Sequence, residues 1–244
     1  MDGPLLSLEA VSKSYWRGLH QLKVLADLSL EVRAGEFVVV WGKRGAGKTT
    51  LLKISAGLER PDHGNVRVEN GDLAGLSETQ HARLMRDRVG WVRRTGPRSE
   101  LRMLDYVALP LLAGHGHRHA YARAREALAR VHVSECAGQV WASLSDGERA
   151  LVGIARGIVR RPGLLLVDDP TANLGVRERE ELIDLLRELA ENTGLGVLMT
   201  VPDMPAMMAA HQMKALSGGR ILAPPDPDDG PGNVIDFRSR ERAG

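Results

Sequence analysis

Apolar positions along the chain fall into short blocks separated by polar stretches. Phe37-Val-Val-Val-Trp41 and Leu164-Leu-Leu-Val167 are continuous apolar runs, the pattern of parallel strands buried on both faces, and Val197–Thr200 reads as another. Leu5–Val11 and Val24–Val32 read as antiparallel strands joined by a polar loop through Arg17 and His20. Val66–Val68 and Val89–Val92 read as shorter strands, with a polar helix near Ser77–Met85 between them. Thr49–Ala56 has helical character. Arg177–Glu191 is an amphipathic helix, with Leu182, Leu185, Leu186 and Leu189 on one side. Near the end, Lys214–Leu216 and Arg220–Leu222 flank Ser217-Gly-Gly219, a hairpin signal.

Alternation of strand and helix predicts an α/β domain over residues 1–222. The stretch from about 97 to 160 is mostly helical, with an Ala/Arg-rich segment from His119 to Val131, and predicts a helical subdomain inserted between two halves of the core. Residues 223–244 hold Pro224, Pro225, Pro227 and Pro231 among aspartates and read as a disordered tail.

Composition narrows the classes. A chain of 244 residues builds one sizeable domain, and a net charge of +2 is too mild to call for a nucleic-acid partner. The single cysteine, Cys136, excludes an internal disulfide and suits a reducing compartment. Met1-Asp-Gly-Pro carries no signal-peptide pattern, and the apolar runs fall short of the roughly 18–20 residues of a spanning helix. A membrane role is therefore expected to come through a partner. His115-Gly-His117-Arg-His119 lacks partner ligands at metal spacing and reads as a loop.

The chemistry is concentrated in Gly42-Lys43-Arg44-Gly45-Ala46-Gly47-Lys48-Thr49, followed by Thr50, which matches G-x-x-x-x-G-K-[ST] without a mismatch. It stands between a predicted strand and a predicted helix. That context aims backbone N–H groups and the helix dipole at one point, an anion site suited to a nucleoside triphosphate. Lys48 is placed to reach the β- and γ-phosphates, and the Thr49 hydroxyl to ligate Mg²⁺.

Further motifs follow in order. Leu144-Ser145-Asp146-Gly147-Glu148 precedes Gly153-Ile-Ala-Arg156, and Leu164-Leu-Leu-Val-Asp168-Asp169-Pro-Thr-Ala-Asn-Leu174 ends a buried strand. Leu101–Leu111 has the form L-x-x-L-x-x-V-x-L-P-L, and Tyr15 closes Val11-Ser-Lys-Ser-Tyr15. From about Leu6 to Leu222 the chain resembles the ABC ATPases, in particular the MacB-, LolD- and FtsE-like group. The resemblance implies the P-loop ABC-type α/β fold with an antiparallel β subdomain and an inserted helical subdomain. It also implies ATP and Mg²⁺ as cofactors, with Tyr15 stacking on adenine and Ser145 and Gly147 meeting the γ-phosphate of a second ABC ATPase chain. Asp168 is the implied magnesium aspartate. The implied assembly is a homodimer or heterodimer docked on a transmembrane permease subunit at the inner face of the cell membrane.

Several positions depart from the family pattern. Asp169 replaces the water-polarising glutamate and is shorter by about 1.5 Å, where a misplacement of about 1 Å can cost roughly 10²-fold in rate. Asp169 is accordingly a weak catalytic candidate. The switch-histidine segment is Thr200-Val201-Pro202-Asp203, and proline has neither a titratable group nor an N–H. His211 is expected too far along a following helix to substitute. Arg94 stands at the Q-loop glutamine, either near phosphate or solvated. Gly175 stands at the D-loop aspartate. Asp146 replaces a signature glycine: it adds negative charge at the anion site, and it also suits the first turn of a helix whose Ser145 and Glu148 form a capping box.

Groups that hold ATP are kept, while groups that activate water, sense γ-phosphate and bridge subunits are altered. The expected function is an ATP-binding subunit that couples ATP binding, with weak or lost hydrolysis, to a separate permease. The alternative is a non-hydrolysing regulatory or scaffold module of a membrane complex. A soluble ABC protein of translation or repair is disfavoured, because neither a paired cassette nor a long coiled-coil insertion is present.

Overall fold

A computed structural model describes residues 3–69, 71–93, 96–97, 100–114, 116–203 and 210–222. Arg94, His115 and the tail 223–244, on which sequence expectations were placed, lie outside the described residues.

The chain opens with an antiparallel ribbon, β1 (Leu6–Arg17) and β2 (His20–Val32). The expected polar loop is instead strand: the two strands run on past Val11 to a turn at Gly18-Leu19, with Arg17 paired to His20. The outer part of the ribbon packs on no core, so its apolar and polar residues follow no alternation that would give a signal there. Irregular pairing between Leu8 and Ser14 marks bulges, with Ala10 and Asp27 at positive φ, and these re-aim the outer ribbon.

Next come β3 (Phe37–Trp41), α1 (Lys48–Ser55), β4 (His63–Val68), β5 (Gly71–Asp72), α2 (Glu78–Arg88) and β6 (Val89–Val92). A helical stretch follows, with α3 (Met103–Leu112), α4 (His117–Arg130) and α5 (Asp146–Ile158). His117 and His119 therefore lie in the first turn of α4 rather than in a loop, and the His117 ring stacks on Tyr121. The chain finishes with β7 (Leu164–Asp168), α6 (Val176–Thr193), β8 (Gly196–Val201), β9 (Gln212–Ser217) and β10 (Arg220–Leu222).

Two sheets result, one ordered β2-β1-β4-β5 and one ordered β10-β9-β3-β8-β7-β6. The larger is parallel throughout except for the terminal β9–β10 hairpin. Strand alternation splits its side chains between two cores. Phe37, Val39, Leu165, Val167, Val197 and Met199 pack with α3, α4, α5 and α6, while Val38, Val40, Leu164, Leu166 and Leu198 pack with α1 and the antiparallel sheet. Both faces being covered, the central strands are apolar at every position.

His211 is not on a helix. It stands at the bend before β9, where its N–H donates to Phe37 O and its Nδ1 accepts from Phe37 N–H. It thus ties down the start of β3, the end of that strand away from the glycine-rich loop.

Candidate functional site

Beyond the C-terminal ends of β3, β6, β7 and β8 opens a cleft of about 960 Å³. Such ends are where a parallel sheet leaves room for a ligand. The cleft is lined by Arg44, Gly45, Gly47, Lys48, Thr49 and Thr50 of the glycine-rich loop, and by Asp168, Asp169 and Pro202.

The loop is shaped by its glycines. Gly47 has φ 105° and ends at α1, and a Cβ there would stand 2.8 Å from Val24 O; Gly45 has φ 86°. Only glycine adopts these conformations at low cost. The Lys48 ammonium folds back over the loop and donates to Gly42 O and, at 3.0 Å, to Lys43 O. Partial burial holds its pKa below the usual lysine value, with Asp169 and Asp168 pulling the other way. No side chain caps α1 and its first turn carries no acid, so its N-terminal N–H groups have no carboxylate of their own helix to bind.

Opposite stands Asp168 at the end of β7. Its carboxylate accepts from the Thr49 hydroxyl at 3.2 and 3.3 Å and from the Thr200 hydroxyl at 3.2 Å. A hydroxyl and a carboxylate converging from two elements fit a small hard cation such as Mg²⁺, which takes oxygen ligands. Asp169 follows with φ 47°, and its N–H donates to Thr200 O at 3.0 Å. A left-handed aspartate at a cleft wall belongs to the strained backbone that gathers at functional sites. Val201 ends β8 and is buried in the sheet, and Pro202 after it lines the cleft.

Other expected site residues sit elsewhere. Gly42, Lys43 and Ala46 line a separate cavity of about 320 Å³ toward β9 and β10. Tyr15 is not among the lining residues; its hydroxyl lies 3.4 Å from Thr50 Oγ1 and burial raises its pKa. Ser145 and Gly147 lie at the start of α5. There Ser145 N–H donates to Glu148 at 2.7 Å and Glu148 N–H to Ser145 Oγ at 3.2 Å. Asp146 pairs with Arg149 at 2.9 Å, and a Cβ on Gly147 would lie 3.2 Å from the Glu178 carboxylate. Glu178 in turn accepts from Gly175 N–H at 3.0 Å. The N-terminus of α5 is thus closed by carboxylates of its own chain, in contrast to α1.

Sequence reasoning missed Val24, Lys53, Leu58, Trp91 and Arg93 in the cleft. For Trp91 and Arg93 a signal existed: β6 alternates, so residues two apart share a face. Arg93 and Asp169 also line a second cavity of about 370 Å³, with Trp141, Asp146, Arg149 and Asn173, so the start of α5 faces the chain's own Asp169 loop.

The model of the ABC transporter family matches residues 25–172, from β2 through the Asp168–Asp169 strand. The chain belongs to the ABC transporter ATPase family. Among relatives of this ABC cassette is the lipoprotein-releasing system ATP-binding protein LolD of Chromohalobacter salexigens, 37% identical over 89% of this chain and 92% of its own length. LolD 1 of Rhodospirillum rubrum is 36% identical over 91% of this chain and 100% of its own. The methionine import ATP-binding protein MetN of Latilactobacillus sakei is 33% identical, and the match spans 64% of its length. The dimeric bacterial ABC transporter cassette MJ0796 superposes with TM-score 0.80 at 28% identity, covering 89% of this chain and 97% of the other. MJ0796 is also known in a post-hydrolysis state bound to ADP and phosphate. The ABC cassette fold expected from the sequence is the fold observed.

Proposed function

We propose that this ABC cassette is an ATP-binding subunit that couples nucleotide binding to a separate membrane permease, with hydrolysis weak or lost. The observation that carries this reading is the contrast inside one cleft. An intact phosphate loop and the Thr49–Asp168 pair stand ready for a magnesium-bound triphosphate. The positions that would act on water are a short aspartate, Asp169, and a proline, Pro202. Magnesium held by Thr49 and Asp168 would supply charge neutralisation for the phosphates. Lys48 and the N–H groups of α1 bind and orient them, and Asp169 is the remaining carboxylate for a water. The helical segment 97–160 is proposed as the subdomain that meets the permease, and a second ABC chain, the same or different, as the dimer partner. No nucleic acid is part of this reading. In this reading the permease places the chain at the inner face of the membrane and selects the cargo.

Titration with a fluorescent ATP analogue, with steady-state phosphate release measured beside it, tests the reading. Binding should weaken at least about tenfold in Lys48→Ala, the loss of a charge-assisted phosphate contact, and turnover should be slow. Affinity unchanged in that variant would sink it. Binding without any turnover, alone or with a permease, would favour the alternative of a non-hydrolysing regulatory module, for which the self-closed N-terminus of α5 is the specific support.

A further inference from the structure

Of the six exposed large apolar side chains among the described residues, three stand together at the outer end of the β1–β2 ribbon. β1 pairs with β4 only as far as Ser12, so from Ser14 to Lys23 the ribbon is two-stranded. Its base is pinned: Lys13 reaches Asp62 at 3.0 Å and Ser14 N–H donates to the same carboxylate. Its tip carries three large apolar side chains that no core claims. Trp16 is 73% exposed, Leu19 93% and Leu22 55%. Trp41, Trp91 and Trp141 are all partly buried by comparison. Such residues cost solubility, and their grouping at one projecting end calls for a reason.

Arg17 and Lys23 carry the formal charge of the tip, with no aspartate or glutamate between Ser14 and Val24. Lys13, at the base, is already paired with Asp62 and Glu59. Register places Trp16 beside Gln21 and Ser14 beside Lys23 on one face, with Arg17 beside His20 and Tyr15 beside Leu22 on the other. Each face thus sets an exposed apolar side chain near one cation, Trp16 near Lys23 and Leu22 near Arg17. An aromatic ring with aliphatic neighbours and a collar of Arg and Lys is the chemistry of a membrane interface. Tryptophan settles at headgroup depth, leucine enters the acyl boundary, and cations meet anionic headgroups. A nucleic acid would use the cations and the ring but has no use for two exposed leucines.

We propose that the β1–β2 tip, Trp16 to Lys23, is a lipid-contacting wedge that inserts shallowly into an anionic membrane surface. It gives the cassette a direct hold on the bilayer beside any permease. The inference stands apart from the nucleotide reading, since none of Trp16, Arg17, Leu19, His20 or Lys23 lines the cleft.

Flotation of the full chain with phosphatidylcholine vesicles, and with vesicles containing one-third phosphatidylglycerol, tests it. The chain should float with the anionic vesicles and lose binding as salt rises. Trp16→Ala with Leu19→Ala should cut the partition about tenfold or more through lost apolar burial. Arg17→Gln with Lys23→Gln should cut it about twentyfold on anionic vesicles and little on neutral ones. Tryptophan emission should shift to the blue on binding in the wild type and not in Trp16→Phe. Circular dichroism and nucleotide affinity, unchanged in these surface variants, exclude misfolding. Three results would overturn the proposal: no flotation of the wild type, flotation indifferent to Trp16 and Leu19, or tip-dependent binding of an oligonucleotide or a second copy in place of vesicles.

Discussion

At Asp169 the backbone takes φ 47°, and Asp168 beside it is held by two threonine hydroxyls from different elements. The single-residue departures therefore sit in a framework already built for phosphate and cation, where small changes have measurable effects. Asp169→Glu together with Pro202→His should raise phosphate release about tenfold or more over the wild type, since a correctly placed general base contributes about 10²–10⁴; a continuous phosphate assay decides it. Position 202 rather than 201 is the one to change, because Val201 is buried in β8. Pro202 is also the position that the sequence pattern marks. Cys136 illustrates a quieter residue effect. Burial first, and then the Glu148 carboxylate accepting from its thiol, push its pKa up to about 12. It should resist a disulfide reagent at pH 8 in the native state and react at once on unfolding.

At the scale of the element, two helix N-termini face opposite fates. α1 is left open by Gly47, while α5 closes on itself through Ser145, Glu148, Asp146 and Arg149. The capping box was legible because it needs only local spacing. Ser145→Ala should cost about 1 kcal/mol, read from the denaturant midpoint. The Ser145 backbone N–H and hydroxyl hold the Glu148 carboxyl below its usual range. Its folded pKa being depressed, the stability it adds is present above the ordinary carboxylate range and is lost as pH falls through the depressed value. The gap in thermal midpoint between wild type and Glu148→Ala should accordingly be full near neutrality and close in acid. The extension of β1 and β2 was not legible, because a two-stranded ribbon outside the core has no buried face to impose alternation.

For the whole molecule, the helical segment and the central sheet meet at close range. Gly90 of β6 approaches Gly157 of α5 so nearly that a Cβ would stand 2.4 Å from the Gly157 carbonyl oxygen. Gly90→Ala should push α5 off the sheet and lower the melting temperature by several degrees, about 2–4 °C for each kcal/mol in a chain of this size. Scanning calorimetry checks it. Because α5 carries Ser145 and Asp146 at its other end, the same contact positions the signature segment relative to Asp169.

The sequence by itself determined the strand–helix alternation, the phosphate loop, the buried central strands and the family. Each of these is written in local spacing or in a periodicity that burial enforces. Only the tertiary structure decided that Arg93 and Trp91 enter the cleft and that His211 anchors the start of β3. It also decided that Trp16, Leu19 and Leu22 end on a bare ribbon tip. These depend on which strands pair across long separations, and that order is set by how two cores close on opposite faces of one sheet.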